Sequence, residues 1–133
     1  MNWLAILCAG AAYWILGWLW YTQLFSKIWG AGLERYGVKL RPPTKAEHAA
    51  KMIGSFVANV IAAAVLAILV RRIGITDLVR GVKLGAAAGL GFSLTSLTVV
   101  YIWESKPTRL WLIDAGYHLS GCIIAAAILA VWH

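Results

Sequence analysis

The sequence predicts an all-α integral membrane protein, a bundle of four transmembrane helices forming one domain over 1–133, and three observations carry that prediction. Hydrophobic residues make up 62% of the chain and charged ones only 13%, with a mean hydropathy of +0.78, a balance too apolar for a soluble domain of this size. Four runs, Trp3 to Phe25, Met52 to Val70, Val82 to Trp103 and Leu110 to Trp132, can each cross a hydrocarbon core about 30 Å thick, which takes about 20 helical residues. The basic residues fall mainly between and beside these runs.

Local signals then set the bounds of each element, with helices expected at about 3–25, 46–72, 78–103 and 108–132. The first run holds no Lys, Arg, Asp or Glu. No basic residue precedes it and no small-x-small site follows a short core, so it reads as a retained helix and not a cleaved leader. Bulky Leu7 before Cys8 also argues against a lipoprotein site. Between Ser26 and Arg41, Ile28, Trp29, Leu33 and Tyr36 recur at near-helical spacing among Lys27, Glu34 and Arg35. That pattern suits a short helix lying in the headgroup region, and an ordinary loop is the alternative. The breaker Pro42-Pro43 leads into "TKAE" at 44–47, a capping box in which Thr44 and Glu47 bond reciprocally to backbone N–H groups. Gly74 after Arg71 and Arg72 is a stop, and Thr76 with Asp77 a restart. "SKPTR" at 105–109 offers Ser105 as a cap and Pro107 for a first helical turn.

The third run carries Gly81, Gly85 and Gly89 four apart, continued by Ser93. Such a ridge of small residues lets two helix backbones approach closely in lipid, within the chain or across a dimer. Gly10 and Gly17 do similar work less regularly on the first helix, beside Tyr13 and Tyr21.

A net charge of +7 is compatible with nucleic acid, but no soluble domain exists to present it, so lipid headgroups are the expected partners. Lys27, Arg35, Lys39, Arg41, Lys45 and Lys51 flank or occupy the first connection, and Lys106 and Arg109 the third. The second holds Arg71, Arg72, Arg80 and Lys83. Eight against four places the first and third connections in the cytoplasm and both termini outside. Trp18, Trp20, Trp29, Trp103 and Trp111 fall toward the same end, as an aromatic belt should.

An internal echo joins "VIAAAVLAIL" at 60–69 to "IIAAAILAVW" at 123–132, identical at six of ten positions. Ala-rich membrane helices resemble one another by composition. A true repeat would instead relate two parallel hairpins by an axis along the membrane normal. Its offset aligns Lys51 with Asp114 and Ser55 with His118, so that Lys51 and Asp114 could pair.

The last run holds an acid and a base one turn apart. Asp114 and His118 share a helix face, with Gly121, Ala125 and, one position off, Tyr117, so that face should point into the bundle. An Asp at mid-membrane costs about 2.5–3.5 kcal/mol on insertion scales and less near an end, and needs a partner or water. One reading is a proton relay or cation site formed with Tyr21, Asn59 and Tyr117. The other is structural, with Asp114 bonded to Arg109 or Lys51, His118 to a carbonyl, Tyr21 or Asn59, and helix register as the only outcome. Cys8 and Cys122 have no CxxC spacing and behave as small hydrophobes. No metal cluster is expected, since one His without a second ligand suits at most an axial site on a metal or pigment, and no cofactor is implied. No nucleotide loop, hydrolase elbow or zinc motif names a catalytic residue.

"MNWLAIL" at the start, "LGWLWYTQLFSKIW" at 16–29 and "LWLIDAGYHLSGCIIAAAILAVW" at 110–132 resemble the small bacterial membrane family known as domain of unknown function 1761. The resemblance runs over nearly the whole chain. It implies a short four-helix integral membrane protein and no established activity, and a bacterial cytoplasmic membrane is the expected location. It also implies Asn where this chain has Asp114 and Pro where it has Gln23. An Asn carries no proton, which moves weight toward Tyr117 and His118 and gives Asp114 a helix-fixing role.

Two functions follow as expectations. One is an accessory subunit of a larger membrane complex, or a self-associating module, packing through the Gly81 to Gly89 ridge and the Trp belt. The other is a transporter or channel for protons, ions or a small solute along the polar seam, with pigment or metal binding at His118 ranked lower.

Overall fold

The computed structural model describes residues 1–38 and 42–132; Lys39 and Arg41, counted in the charge bias, lie outside the described residues. Helix α1 (Trp3–Leu19) begins at Asn2, whose side chain accepts the Ala5 N–H at 3.1 Å. It passes into a π-helical turn, Trp20–Leu24, and breaks at Phe25. Helix α2 (Ser26–Tyr36) follows and ends at Gly37 with φ +104°. The segment left open between loop and helix is therefore a helix. It packs against the start of the last span, with Gly32 over Leu110, and folds back on the end of the first, with Trp29 against Tyr21 at 5.1 Å.

Helix α3 (Lys45–Ile73) opens with the expected capping box at Thr44 and Glu47 and stops at Gly74, φ +74°. Asp77 accepts the Arg80 N–H at 2.9 Å and starts α4 (Leu78–Ala88). A second π-helical stretch, Gly89–Leu94, joins α4 to α5 (Thr95–Glu104). Helix α6 (Thr108–Val131) completes the chain. The four apolar helical segments long enough to span a membrane, Trp3–Leu24, Lys45–Ile73, Leu78–Glu104 and Thr108–Val131, match the expected bounds to within a residue at each end. Ser105 does not cap α6 as expected. It ends α5 in the left-handed region, φ +54°, and Pro107 precedes the first turn of α6 without a side-chain bond.

The π-helical stretch in the third span has a packing consequence. Each four-residue step of an α-helix drifts by about 40°, so the five steps from Gly81 to Tyr101 would turn Tyr101 about 200° away from the ridge. One inserted residue takes back about 100° of that drift. Ser93, Thr98 and Tyr101 thus all reach α6. Thr95 and Thr98 hydroxyls donate to carbonyls in this stretch, Gly91 O at 2.8 Å and Leu94 O at 2.6 Å, covering acceptors left by the altered ladder.

Helix α6 is the hub, packed on α1, α3 and α4, while α3 and α4 touch each other only marginally. The glycine ridge meets α6 of its own chain. A Cβ on Gly85 would stand 2.5 Å from the Cys122 carbonyl oxygen, and one on Gly81 2.5 Å from Ala130 Cβ. A bulky side chain at Gly85 would therefore strike α6 before it met any partner. On α3 the buried residues Asn59, Ala63, Leu66, Ala67 and Val70 back a stripe of exposed Ile53, Val57, Ile61, Val65 and Ile68. That apolar outer face is the surface a bilayer covers.

The twofold suggested by the echo is not realised in the packing. Helix α1 contacts both α3 and α6, whereas α4 contacts α6 alone to any extent. Helices α3 and α6 run parallel, but Asn59 meets Tyr117, an offset of 58 residues where the echo expects 63. The five-residue difference sets Lys51 about 7 Å along the axis from the level of Asp114. Among the described residues no cation pairs with Asp114: Lys51 does not, and neither does Arg109.

Candidate functional site

A cluster of four tyrosines, an aspartate, a histidine and an asparagine runs from the α2 end of the bundle, at Tyr21, Tyr101 and Asp114, to mid-span, at Tyr13, Asn59 and His118. Asp114 Oδ1 accepts the Tyr21 hydroxyl and Oδ2 the Tyr101 hydroxyl. Both carboxylate oxygens thus act as acceptors. The π-helical turn supplies Tyr21 and its neighbour Trp20, whose Nε1 donates to Ile113 O at 2.9 Å. Two successive residues of this turn thus grip successive residues of α6.

One turn further along α6, His118 Nδ1 lies 2.8 Å from the Tyr13 hydroxyl. Gly121 makes this possible. A Cβ there would stand 2.2 Å from Tyr13 Cε1, so only glycine leaves room for the Tyr13 ring on the α6 backbone. Asn59 Nδ2 donates to the Tyr117 hydroxyl at 3.1 Å, and that hydroxyl donates to Tyr13 O at 3.4 Å. The Tyr117 ring sits between Tyr13, Tyr21 and His118, at centroid distances of 5.2, 5.5 and 4.8 Å. One aromatic side chain therefore touches both halves of the cluster.

The remaining groups border the cluster without entering it. Lys51 lines a groove between α1 and α3 with Tyr21 and Tyr117. Ser55 accepts from Trp14 Nε1 at 3.2 Å and is not near His118 as the echo would have it. Ser93 Oγ lies 3.7 Å from Cys122 Sγ. On the α5 side, a shallow cleft of about 310 Å³ is lined by Ser93, Ser96, Leu97, Val100 and His118. Among the described residues no group of three metal-ligand side chains converges.

A family model described as a protein of unknown function, DUF1761, matches residues 4–130. The chain belongs to this family. No curated protein and no solved structure matches the chain. Family membership therefore brings no activity with it, and the chemistry must be read from the site.

Of the residues singled out in the sequence, Asp114, His118, Tyr117, Tyr21 and Asn59 meet in one cluster and Lys51 stays at its edge. Tyr13 and Tyr101, both buried, were not placed in the site by sequence. For Tyr101 the signal was its place four residues before the turn at 105–107, on the helix that this turn folds back against the one carrying Asp114. For Tyr13 the signal was its position three residues after Gly10 and four before Gly17, on the face of α1 that carries both glycines.

Proposed function

We propose that the chain is a non-catalytic membrane module, an accessory or self-associating subunit whose polar aromatic cluster clamps its helices in register. The observation that supports this most is the closure of the cluster. Among the described residues no buried side-chain nitrogen or oxygen lacks a hydrogen-bond partner, and a satisfied polar network specifies a packing arrangement. Beyond Tyr13 the buried side chains between α1, α3 and α6 are apolar, including Ala5, Ala9, Ala63, Ala67, Ala126 and Leu129. A cleft of about 350 Å³ at the far end, bordered by Asn2, Arg71 and Trp132, is separated from the cluster by that layer. A polar path across the membrane would have to break it.

The partner surface in this reading is the outer face of the third span and its tryptophan belt, because the glycine ridge is already covered by α6. Phe92 and Ile102 are exposed there and Trp103 is 84% exposed. The charge bias supports a cytoplasmic location for the α2 end, with both termini on the other side of a bacterial cytoplasmic membrane.

A second reading, a proton or small-solute relay, has one observation in its favour. With Nδ1 beside Tyr13, the His118 ring also borders the lipid-side cleft next to Ser93 and Ser96. The mass of the particle after gentle solubilisation from its native membrane separates the two. Recovery above the mass of one 14.5 kDa chain, as a homo-oligomer or with other subunits, is the expected result. A monomer that moves protons into liposomes, with the flux abolished by His118→Ala, would overturn the first reading in favour of the second.

A further inference from the structure

The groove between α1 and α3 has a feature that clamping does not use. Its deep end is closed by Trp14, which donates to Ser55 and meets Phe56 edge-on at 5.7 Å. Trp18, Met52 and the unsubstituted Gly17 leave a hollow of about 240 Å³ above it. Because Trp14 is level with Ser55 and the helices are antiparallel, Trp18 is level with Lys51. That is six residues, about 9 Å, inside the end of the first span at Leu24.

Lys51 is exposed, and no carboxylate lines the groove with it. Among the described residues the ion pair at this end of the bundle joins Lys106 to Glu104 at 3.0 Å. A lysine at this depth lays its stem along apolar surface and carries its ammonium outward to the level of lipid phosphates. The wall beneath it is apolar and indole-lined, as acyl chain and glycerol require.

We propose that this groove binds one anionic phospholipid, its phosphate held at Lys51 Nζ and its upper acyl chain lying along Trp14, Trp18 and Met52. The proposal needs only the membrane-spanning fold and holds for either functional reading, since it is measured by lipid retention and not by subunit mass or flux. One favourable lysine contact with an anionic headgroup corresponds to a preference of about fivefold.

The test uses the full chain, purified and delipidated, then exposed to equal amounts of phosphatidylglycerol and phosphatidylcholine in mixed micelles, with bound lipid counted by native mass spectrometry. The expected result is about a fivefold preference for phosphatidylglycerol, falling to near parity in Lys51→Ala and persisting in Lys51→Arg and in Lys27→Ala, a basic residue of the same end. Met52→Trp, which fills the hollow and leaves the charge, should reduce retention of both lipids. Equal retention by the unaltered chain would overturn the proposal. So would a loss in Lys27→Ala as large as in Lys51→Ala, which would mean a diffuse surface charge, or displacement of the lipid by inorganic phosphate, which would mean a simple anion site.

Discussion

Asp114 sits where the insertion cost of an acid is lowest and its hydrogen-bond return is highest: near the start of α6, with a phenolic hydroxyl on each oxygen. If its role is to hold helices, what matters is that both hydroxyls stay partnered, and the charge is secondary. Asn at 114 can accept from one tyrosine through Oδ1 and donate to the other through Nδ2. Ala leaves both hydroxyls without their acceptor. Asp114→Asn should therefore cost no more than about 1 kcal/mol, and Asp114→Ala about 2 kcal/mol or more. Tyr21→Phe and Tyr101→Phe should each cost about 0.6–1.7 kcal/mol, the range of interhelical bonds in membranes, and nothing further in the Asp114→Ala background. Reversible unfolding in mixed micelles measures all of these, and an Asn variant as unstable as Ala would show that the charge itself is needed. The acid and the base were legible in sequence because an ionisable group in an apolar run stands out. Of their partners Tyr21 was legible too, but Tyr13 and Tyr101 were not, because a tyrosine in an apolar run gives no sign of which way it turns until helix pairing is known.

At the scale of the element, the chain ends three of its helices with the same backbone device. At Gly37, Gly74 and Ser105 the residue after the helix is left-handed, and the next N–H reaches back to a carbonyl five residues earlier, as Ile75 does to Val70 at 3.0 Å and Lys106 to Tyr101 at 3.1 Å. Glycine adopts this conformation without a Cβ penalty; Ser105 does not. Ser105→Gly should stabilise the bundle by about 0.5–1 kcal/mol, and Gly74→Ala should destabilise it by about 1 kcal/mol. At Gly74 nothing lies within 4 Å of where the new methyl would stand, so that cost is one of backbone conformation alone. Opposite shifts in thermal midpoint check the pair; a fall for Ser105→Gly would mean that the serine hydroxyl contributes what the turn geometry does not. These ends show what sequence conveys about elements. Caps and stops are local chemistry, so Thr44, Gly74 and Asp77 were readable. The π-helical turns at Trp20–Leu24 and Gly89–Leu94 were not, because they are imposed by the need to keep successive side chains facing α6, a requirement that belongs to the packed bundle.

For the molecule as a whole, four spans put both termini on one side, and which side is a matter of charge. Eight basic residues belong to the first and third connections and their flanks, and four to the second. In the folded bundle the described members of the larger set, Lys27, Arg35, Lys45, Lys51, Lys106 and Arg109, belong to the elements at and beside the α2 end. There Lys106 lies 5.2 Å from the Tyr101 ring and Tyr36 donates to Glu104 O at 2.7 Å, so the Asp114 side of the tyrosine cluster lies at the basic end of the protein. Orientation therefore decides which compartment the cluster approaches. The margin is narrow, and narrow margins can be tipped. Replacing Lys27, Lys45, Lys106 and Arg109 by Gln leaves four basic residues on each side. C-terminal reporters active only outside, or only inside, the cell should then change from a single orientation in the unaltered protein to a mixture in the quadruple variant. Restoring Lys106 and Arg109 together should recover the outward C-terminus, since charges close to span ends weigh most. If the quadruple variant kept a single orientation, charge would not be what orients this bundle, and the asymmetry would have to come from the spans themselves: an unbroken, uncharged first helix entering first, and an α6 that can only pack once the other three are in place.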